Sequence, residues 1–342
     1  MKFGVGLWQG ISMRDLPAVV RMCEEVGYSH VWYANHKLYR DMFVGLAVAA
    51  VSSRRIELGT FVAEPYSFHP GQIAAAIATI DELSEGRATL AIGAGGGTLR
   101  ELGIERSRIT GILRESIQVI HALLRGEHVA TRGAAVQIDG RLHLPARSDL
   151  PVILASRGDH VLQLAGEIAD GAMVATYATA AGLRHGLETV NEGRRRSADP
   201  ARPFRMVARV DVAIDEDERA ARDAVRPMIA MMVMASYPDS AFVRHAGLEL
   251  TPELEAMCQQ KDEALALASG HLVPDEYVRS FAWTGSPDDV AAQVAAAAEV
   301  GYAEVVILPQ PLDDGSVDTI RRFATEVMPR VHALTGSGAH PA

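Results

Sequence analysis

The sequence predicts an α/β chain folded as a single (β/α)8 TIM barrel, and three observations carry that expectation. Short apolar runs alternate with amphipathic helical segments along almost the whole chain. The runs are continuously apolar rather than alternating, as parallel strands covered on both faces are. They number eight, and 342 residues suit one large barrel domain.

Taken in order, the first strand begins at once in Met1-Lys-Phe-Gly-Val-Gly-Leu-Trp8. Leu16, Val19, Val20, Cys23 and Val26 then recur at helical spacing, and Gly27 is placed to stop that helix. The second strand, Val31-Trp-Tyr-Ala-Asn-His36, leaves a histidine just past its C-terminal end. Barrels collect their catalytic side chains at that end, so His36 is the first candidate. A small-residue helix over 43–52 leads to a third strand over 56–62. Pro70 opens a helix with Ile73, Ile77, Ile80 and Leu83 on one face, and His69 reads as part of its entry. A fourth strand covers 88–93, and a helix over 107–124 leads into a hairpin-like insertion over 127–144. Strands five to eight fall at 152–155, 172–175, 205–213 and 304–308. The string Glu25-Val-Gly-Tyr-Ser-His-Val31 returns as Glu299-Val-Gly-Tyr-Ala-Glu-Val305, as a repeated βα unit would produce. A long insertion over 237–281, if it lies on the C-terminal rim, is the candidate for substrate choice; packing on the outside is its alternative.

Composition narrows the function. The chain is 48% hydrophobic and 22% charged with a net charge of −10 and no basic run, which argues against a nucleic-acid or membrane-surface partner. Arg194, Arg195 and Arg196 sit at a helix end, where cations complement the dipole. Cys23 and Cys258 have no spacing for a metal or a redox pair, and no metal is expected. The start lacks a signal-peptide core and no stretch reaches the roughly 18 apolar residues of a membrane span, so a cytoplasmic protein is expected. A dinucleotide loop after strand one is missing: Gly93-Ala-Gly-Gly-Gly97 follows the fourth strand instead, which disfavours a nicotinamide-binding doubly wound sheet.

Four strand-end strings carry a family resemblance: Val31 to His36, Leu58-Gly-Thr-Phe-Val-Ala-Glu-Pro-Tyr-Ser-Phe-His-Pro70, Leu83 to Gly97, and Pro151 to Gly171 with its Ala-Ser-Arg-Gly-Asp-His160 core. With them the chain resembles the bacterial luciferase-like superfamily. It is most similar to the deazaflavin (coenzyme F420)-dependent branch that includes methylenetetrahydromethanopterin reductase. The likeness runs on through Leu123 to Glu127, Asp215 to Asp217 and Thr284 to Val290, so it spans nearly the whole chain.

The resemblance implies an oxidoreductase, most simply a reductase, that passes a hydride between F420 and a C=C, C=N or C=O carbon of a small organic substrate. It maps the family's acid-histidine pair beside the ring onto Asn35 and His36. It maps the strand-three bulge behind the ring, with its non-proline cis bond, onto Thr60, Phe61, Val62, Ala63 and Glu64, the bond being Phe61–Val62. Gly93, Gly95 and Gly96 would allow close backbone approach to the cofactor, or simply form a tight turn. Ser156, Arg157 and Gly158 precede a helix whose N-terminus would hold the cofactor phosphate, and Thr176 lies on the same rim. Glu64 reads equally well as a rim or a surface carboxylate. His36 is the implied proton donor or acceptor, since an ordinary imidazole titrates at about pH 6.5. Where the methanopterin reductases lead one to expect carboxylates, this chain has Gly6, Asn35 and Gly96, which points away from methylenetetrahydromethanopterin as substrate. Asn-His-Lys37 in place of the Glu-His-His of FMN-using branches favours F420 over FMN. An FMN-dependent monooxygenase and a non-catalytic flavin or deazaflavin carrier are the alternatives. A homodimer is the expected assembly.

Overall fold

The computed structural model describes residues 1–8, 10–312 and 315–336. In chain order the elements are β1 (Lys2–Leu7), α1 (Leu16–Glu25), β2 (His30–Ala34), α2 (Met42–Ser52), β3 (Glu57–Phe61), α3 (Pro70–Leu83), β4 (Ala88–Ile92) and α4 (Ile109–Leu124). The hairpin β5 (Val129–Arg132) and β6 (Gln137–Gly140) follows, then β7 (Val152–Ser156), α5 (Asp159–Ile168), β8 (Gly171–Ala175), α6 (Ala180–Arg194) and β9 (Arg205–Ile214). The chain continues through α7 (Glu218–Ser236), α8 (Ala241–His245), α9 (Pro252–Gln260), α10 (Glu263–Ala268), α11 (Asp275–Phe281), β10 (Ala282–Gly285), α12 (Pro287–Ala298), β11 (Glu304–Pro309), α13 (Gly315–Arg322) and α14 (Met328–Leu334).

The main sheet has the order β10-β9-β11-β1-β2-β3-β4-β7-β8, and an additional β8–β9 pairing closes it. Eight of these strands form the barrel the sequence predicts, a (β/α)8 TIM barrel. The ninth, β10, is a departure: Ala282 to Gly285 run parallel to Asp211 to Ile214 at the far end of β9. Its Ala-Trp-Thr-Gly sequence is too short and too mixed to stand out as a strand.

Two compact units divide the chain, one made of Met1–Val5, Ala175–Leu187 and Ala208–Ala342, the other of Gly6–Val174 and Glu188–Val207. In the second unit, β2 pairs with β3 from His30↔Glu57 to Ala34↔Phe61, and β4 pairs with β7. Every residue of β2 and β4 is buried, as strands covered on both faces require. Cys23 packs in the α1 interface, and burial pushes its thiol pKa up to about 12, so it is an inert core residue. His69 caps α3: its Nδ1 accepts from the Gly71 amide at 3.1 Å, which leaves Nε2 to donate to the Gln137 carbonyl of β6 at 3.0 Å. Leu83, expected on the apolar face of α3, is 43% exposed at the helix end.

Helix α5 and the C-terminal end of α6, both in this unit, cross at bare backbone. A Cβ on Gly193 would lie 1.8 Å from the Gln163 carbonyl oxygen, and one on Gly166 would lie 2.0 Å from that of Val190. Gly193→Ala should therefore destabilise the protein by about 1–3 kcal/mol through overpacking, although alanine is the better helix former by ~1 kcal/mol. Urea unfolding measures this, and an unchanged midpoint would contradict the crossing.

In the first unit, β1 pairs with β11 from Lys2↔Glu304 to Val5↔Ile307. The sequence echo has one geometry in both places: Gly27 and Gly301 turn with φ of +98° and +96°, and each is followed by a buried tyrosine, Tyr28 or Tyr302. The 237–281 insertion is helical, and α9, α10 and α11 pack on α7. Pro227 within α7 lacks an N–H, and Gly270 comes so close that a Cβ would lie 2.9 Å from the Pro227 nitrogen. No described helix is long and apolar enough to cross a membrane.

Candidate active site

The exit of β2 organises one cluster in the second unit. The Asn35 amide continues the β2–β3 ladder to the Phe61 carbonyl at 3.0 Å, so its side chain is delivered to the turn after β3. There the Phe61–Val62 peptide is cis. Asn35 Nδ2 donates to the Val62 carbonyl at 2.9 Å, and its Oδ1 accepts from Lys37 Nζ at 3.3 Å. Lys37 Nζ also lies 2.6 Å from Glu64 Oε1 and 4.2 Å from the centroid of the Phe68 ring. Glu64 is wholly buried and accepts from the Tyr66 amide at 2.7 Å, the Ser67 amide at 2.9 Å and the Ser67 hydroxyl. Of its two readings, surface carboxylate and rim carboxylate, the surface one is excluded. His36 is half-buried between two aromatic rings, with centroids 5.1 Å from Trp8 and 4.8 Å from Tyr39.

Thr60 does not reach this cluster. Its hydroxyl donates to the Ala91 carbonyl at 2.7 Å and accepts from the Ala91 amide at 2.8 Å, stitching β3 to β4 inside the core. Ala63 bridges the same strands: its amide donates to Ala91 and its carbonyl accepts from Gly93, both at 2.9 Å. Phe61 and Val62 are half-buried.

The glycines after β4 have separate reasons. A Cβ on Gly93 would lie 3.0 Å from both the Ala155 carbonyl oxygen and Val62 Cγ2. Gly95 turns with φ +73°, and a Cβ there would press on Leu99 and Glu64. Gly96 is different, because a Cβ there would meet nothing within 4 Å. Only Gly96 borders open space among the three. Arg106 steadies the loop by donating to the Gly95 carbonyl at 3.1 Å. Beside it, burial raises the pKa of Tyr66, whose hydroxyl donates to the Ser107 carbonyl at 2.9 Å.

After β7, Ser156 Oγ accepts from the Gly158 amide at 2.9 Å and forms a local turn that delivers the chain into α5. Gly158 is the cap residue and supplies no side-chain acceptor, so the first turn of α5 keeps backbone N–H groups without a side-chain cap. Asp159 stands in that turn and Arg157 precedes it.

In the first unit Thr176 follows β8 with φ +93°, an outlier for a β-branched residue. Its amide donates to the Arg209 carbonyl at 2.8 Å, and its hydroxyl accepts from Arg209 Nη1 at 3.4 Å. Arg209 pairs with Asp211 at 2.8 Å, and Gln310 Nε2 donates to Asp211 at 2.9 Å. All four residues are buried. Arg209 and Asp211 were detectable in the sequence as two charges at i, i+2 in the apolar run Val207 to Ala213.

Residues 1–304 match the family model described as luciferase-like monooxygenase. The chain belongs to that family. Luciferase-like relatives align along almost their full length. The 5,10-methylenetetrahydromethanopterin reductase of Archaeoglobus fulgidus is 27% identical over 336 residues, covering 97% of this chain and 100% of the relative. An F420-dependent glucose-6-phosphate dehydrogenase of Beutenbergia cavernae is 26% identical over 338 residues, covering 94% of each. Among solved structures, the coenzyme F420-dependent tetrahydromethanopterin reductase of Methanopyrus kandleri superimposes with a TM-score of 0.83 at 24% identity, over 96% of this chain and 99% of that one, which shows the shared fold.

Two features of this luciferase-like barrel suit a large cofactor with a phosphate. Open space at Gly96 lets backbone lie against a ring, and the uncapped start of α5 with Arg157 suits an anion. Lys37, the third residue of the Asn-His-Lys string, completes the cluster around Asn35 and His36 together with Trp8 and Tyr39, which no short motif announces. The Trp8–His36 and Lys37–Glu64 contacts join segments distant in sequence.

Proposed function

We propose that this protein is an F420-dependent oxidoreductase acting on a C=C, C=N or C=O group of a small organic substrate other than methylenetetrahydromethanopterin. The observation that carries the reading is His36 at the β2 exit, beside the Asn35–Val62 contact, in a chain aligned along nearly its whole length with relatives named for F420. Bound F420 would supply or accept a hydride at its ring carbon. The chain's own residues do the rest. Gly96 and the turn at Phe61 and Val62 would receive the ring, while Ser156, Arg157, Gly158 and the start of α5 would hold the phosphate. His36, beside Trp8 and Tyr39, would give a proton to the substrate atom next to the one that takes the hydride, or remove it where the substrate gives the hydride up. Asn35 would orient rather than titrate, since both ends of its amide are engaged.

The substrate departs from that of the methanopterin relatives because Asn35 and Gly96 offer no carboxylate. Titration of the purified protein with reduced F420 and with FMN tests the reading. Saturable F420 binding supports it, and tight FMN binding with indifference to F420 would overturn it.

A homodimer is part of the proposal. Helix α2 carries no charged residue and leaves Val44 and Val51 56% and 69% exposed, one apolar stripe at i, i+7. Val51→Asp should shift the protein from dimer to monomer in sedimentation velocity. A monomeric wild type would refute the dimer.

A further inference from the structure

We infer that Lys37 is a positioning residue for the cofactor face, acting through Asn35 on the Val62 carbonyl. The inference rests on the F420 reading above. The contacts form one chain: the Tyr66 and Ser67 amides donate to Glu64, Lys37 Nζ bridges Glu64 and Asn35, and Asn35 Nδ2 donates to Val62. Each link fixes the next. An ammonium has donors only, so the atom of Asn35 facing it is the amide oxygen, and the NH2 end is turned onto the Val62 carbonyl.

Burial makes the chain stringent. The Lys37 side chain is 9% exposed and that of Glu64 is 1% exposed, so each charge depends on the other for compensation. The Phe68 ring covers the ammonium from a further side. The pair is neutral overall, and a neutral asparagine at position 35 matches it. An aspartate there would bring a carboxylate oxygen against the Val62 carbonyl oxygen and add a second negative charge beside one lysine. Asn35 and Lys37 thus belong together: the amide replaces an acid because its role is to hold backbone, and the lysine holds the amide. Val62 also lies against Gly93, where a Cβ would come within 3.0 Å of its side chain, so a shift at Val62 is felt at the β4 exit.

The experiment measures F420 affinity by fluorescence quenching and the visible circular dichroism of the bound cofactor. The proteins are wild type, Lys37→Met, Asn35→Ala and the double variant, each checked by thermal melting. Each single variant is expected to weaken binding about tenfold or more and to change the bound-cofactor spectrum. The double variant should bind no more weakly than the worse single, because both act on one chain of contacts. Unchanged affinity and spectrum in Lys37→Met would overturn the inference, and so would losses that multiply in the double variant, which would mean that Lys37 acts separately from Asn35. Where Lys37→Met does not fold, Lys37→Gln is judged by the same readouts. Hydrogen exchange of the Tyr66 and Ser67 amides without cofactor gives an independent arm, with faster exchange expected in the Lys37 variant. A wild type that ignores F420 refutes the F420 reading, and this exchange arm alone then decides whether Lys37 organises the turn.

Discussion

Replacing His36 by glutamine is expected to lower turnover roughly 10²–10⁴-fold, the range a positioned general acid or base contributes. F420 affinity should stay within about threefold of wild type, because an interaction used in the proton step lowers kcat more than binding. The geometry supports the separation. The imidazole is held by Trp8 and Tyr39, and the Asn35–Lys37–Glu64 contacts do not involve its ring. Glutamine keeps a polar side chain of similar reach but carries no proton that it can give up near neutral pH. The assay follows oxidation of reduced F420 against a panel of enones, imines and ketones. A variant that turns over as fast as wild type would remove His36 from the chemistry. A wild type that binds F420 and turns over nothing would favour the carrier alternative.

The surroundings of Asn35 show what a linear sequence does not reveal. The barrel was legible because each parallel strand is a continuous apolar run ending at a turn, and the repeated Gly-Tyr entry at Gly27 and Gly301 comes from one βα geometry used twice. The β2 exit stood out as a candidate because strand ends are where a barrel places functional side chains. The contacts that hold Asn35 did not, since they run through Lys37 to Glu64, a contact between two turns of the fold. Lysine and glutamate are usually exposed, so their burial leaves no trace in composition. The same holds for Thr60, whose hydroxyl is spent within the core, and for β10, which is a strand only because the end of β9 extends beside it.

Asp211→Ala is expected to destabilise the protein by about 3–5 kcal/mol, the cost of leaving a buried charge without its partner. Asp211 is 1% exposed and meets Arg209 at 2.8 Å, while Gln310 donates to the same carboxylate at 2.9 Å. Truncation removes the acceptor for both donors at once, and the guanidinium cannot shed its proton to escape. The effect should spread to Thr176, whose left-handed backbone is held by the Arg209 carbonyl and whose hydroxyl meets Arg209 Nη1. The paired change Arg209→Met with Asp211→Leu removes both charges and fills similar volume. It should be markedly milder than Asp211→Ala, because buried ion pairs are often replaceable by apolar contacts. Urea unfolding of the single and double variants measures the difference. If Asp211→Ala unfolds at the wild-type midpoint, the pair is not a structural anchor of this half of the sheet. If the double variant is as unstable as the single, uncompensated charge is not the source of the loss. A double variant that is stable yet impaired in F420 binding would place Thr176 and its supports in the functional rim, which is the role the family resemblance assigns it.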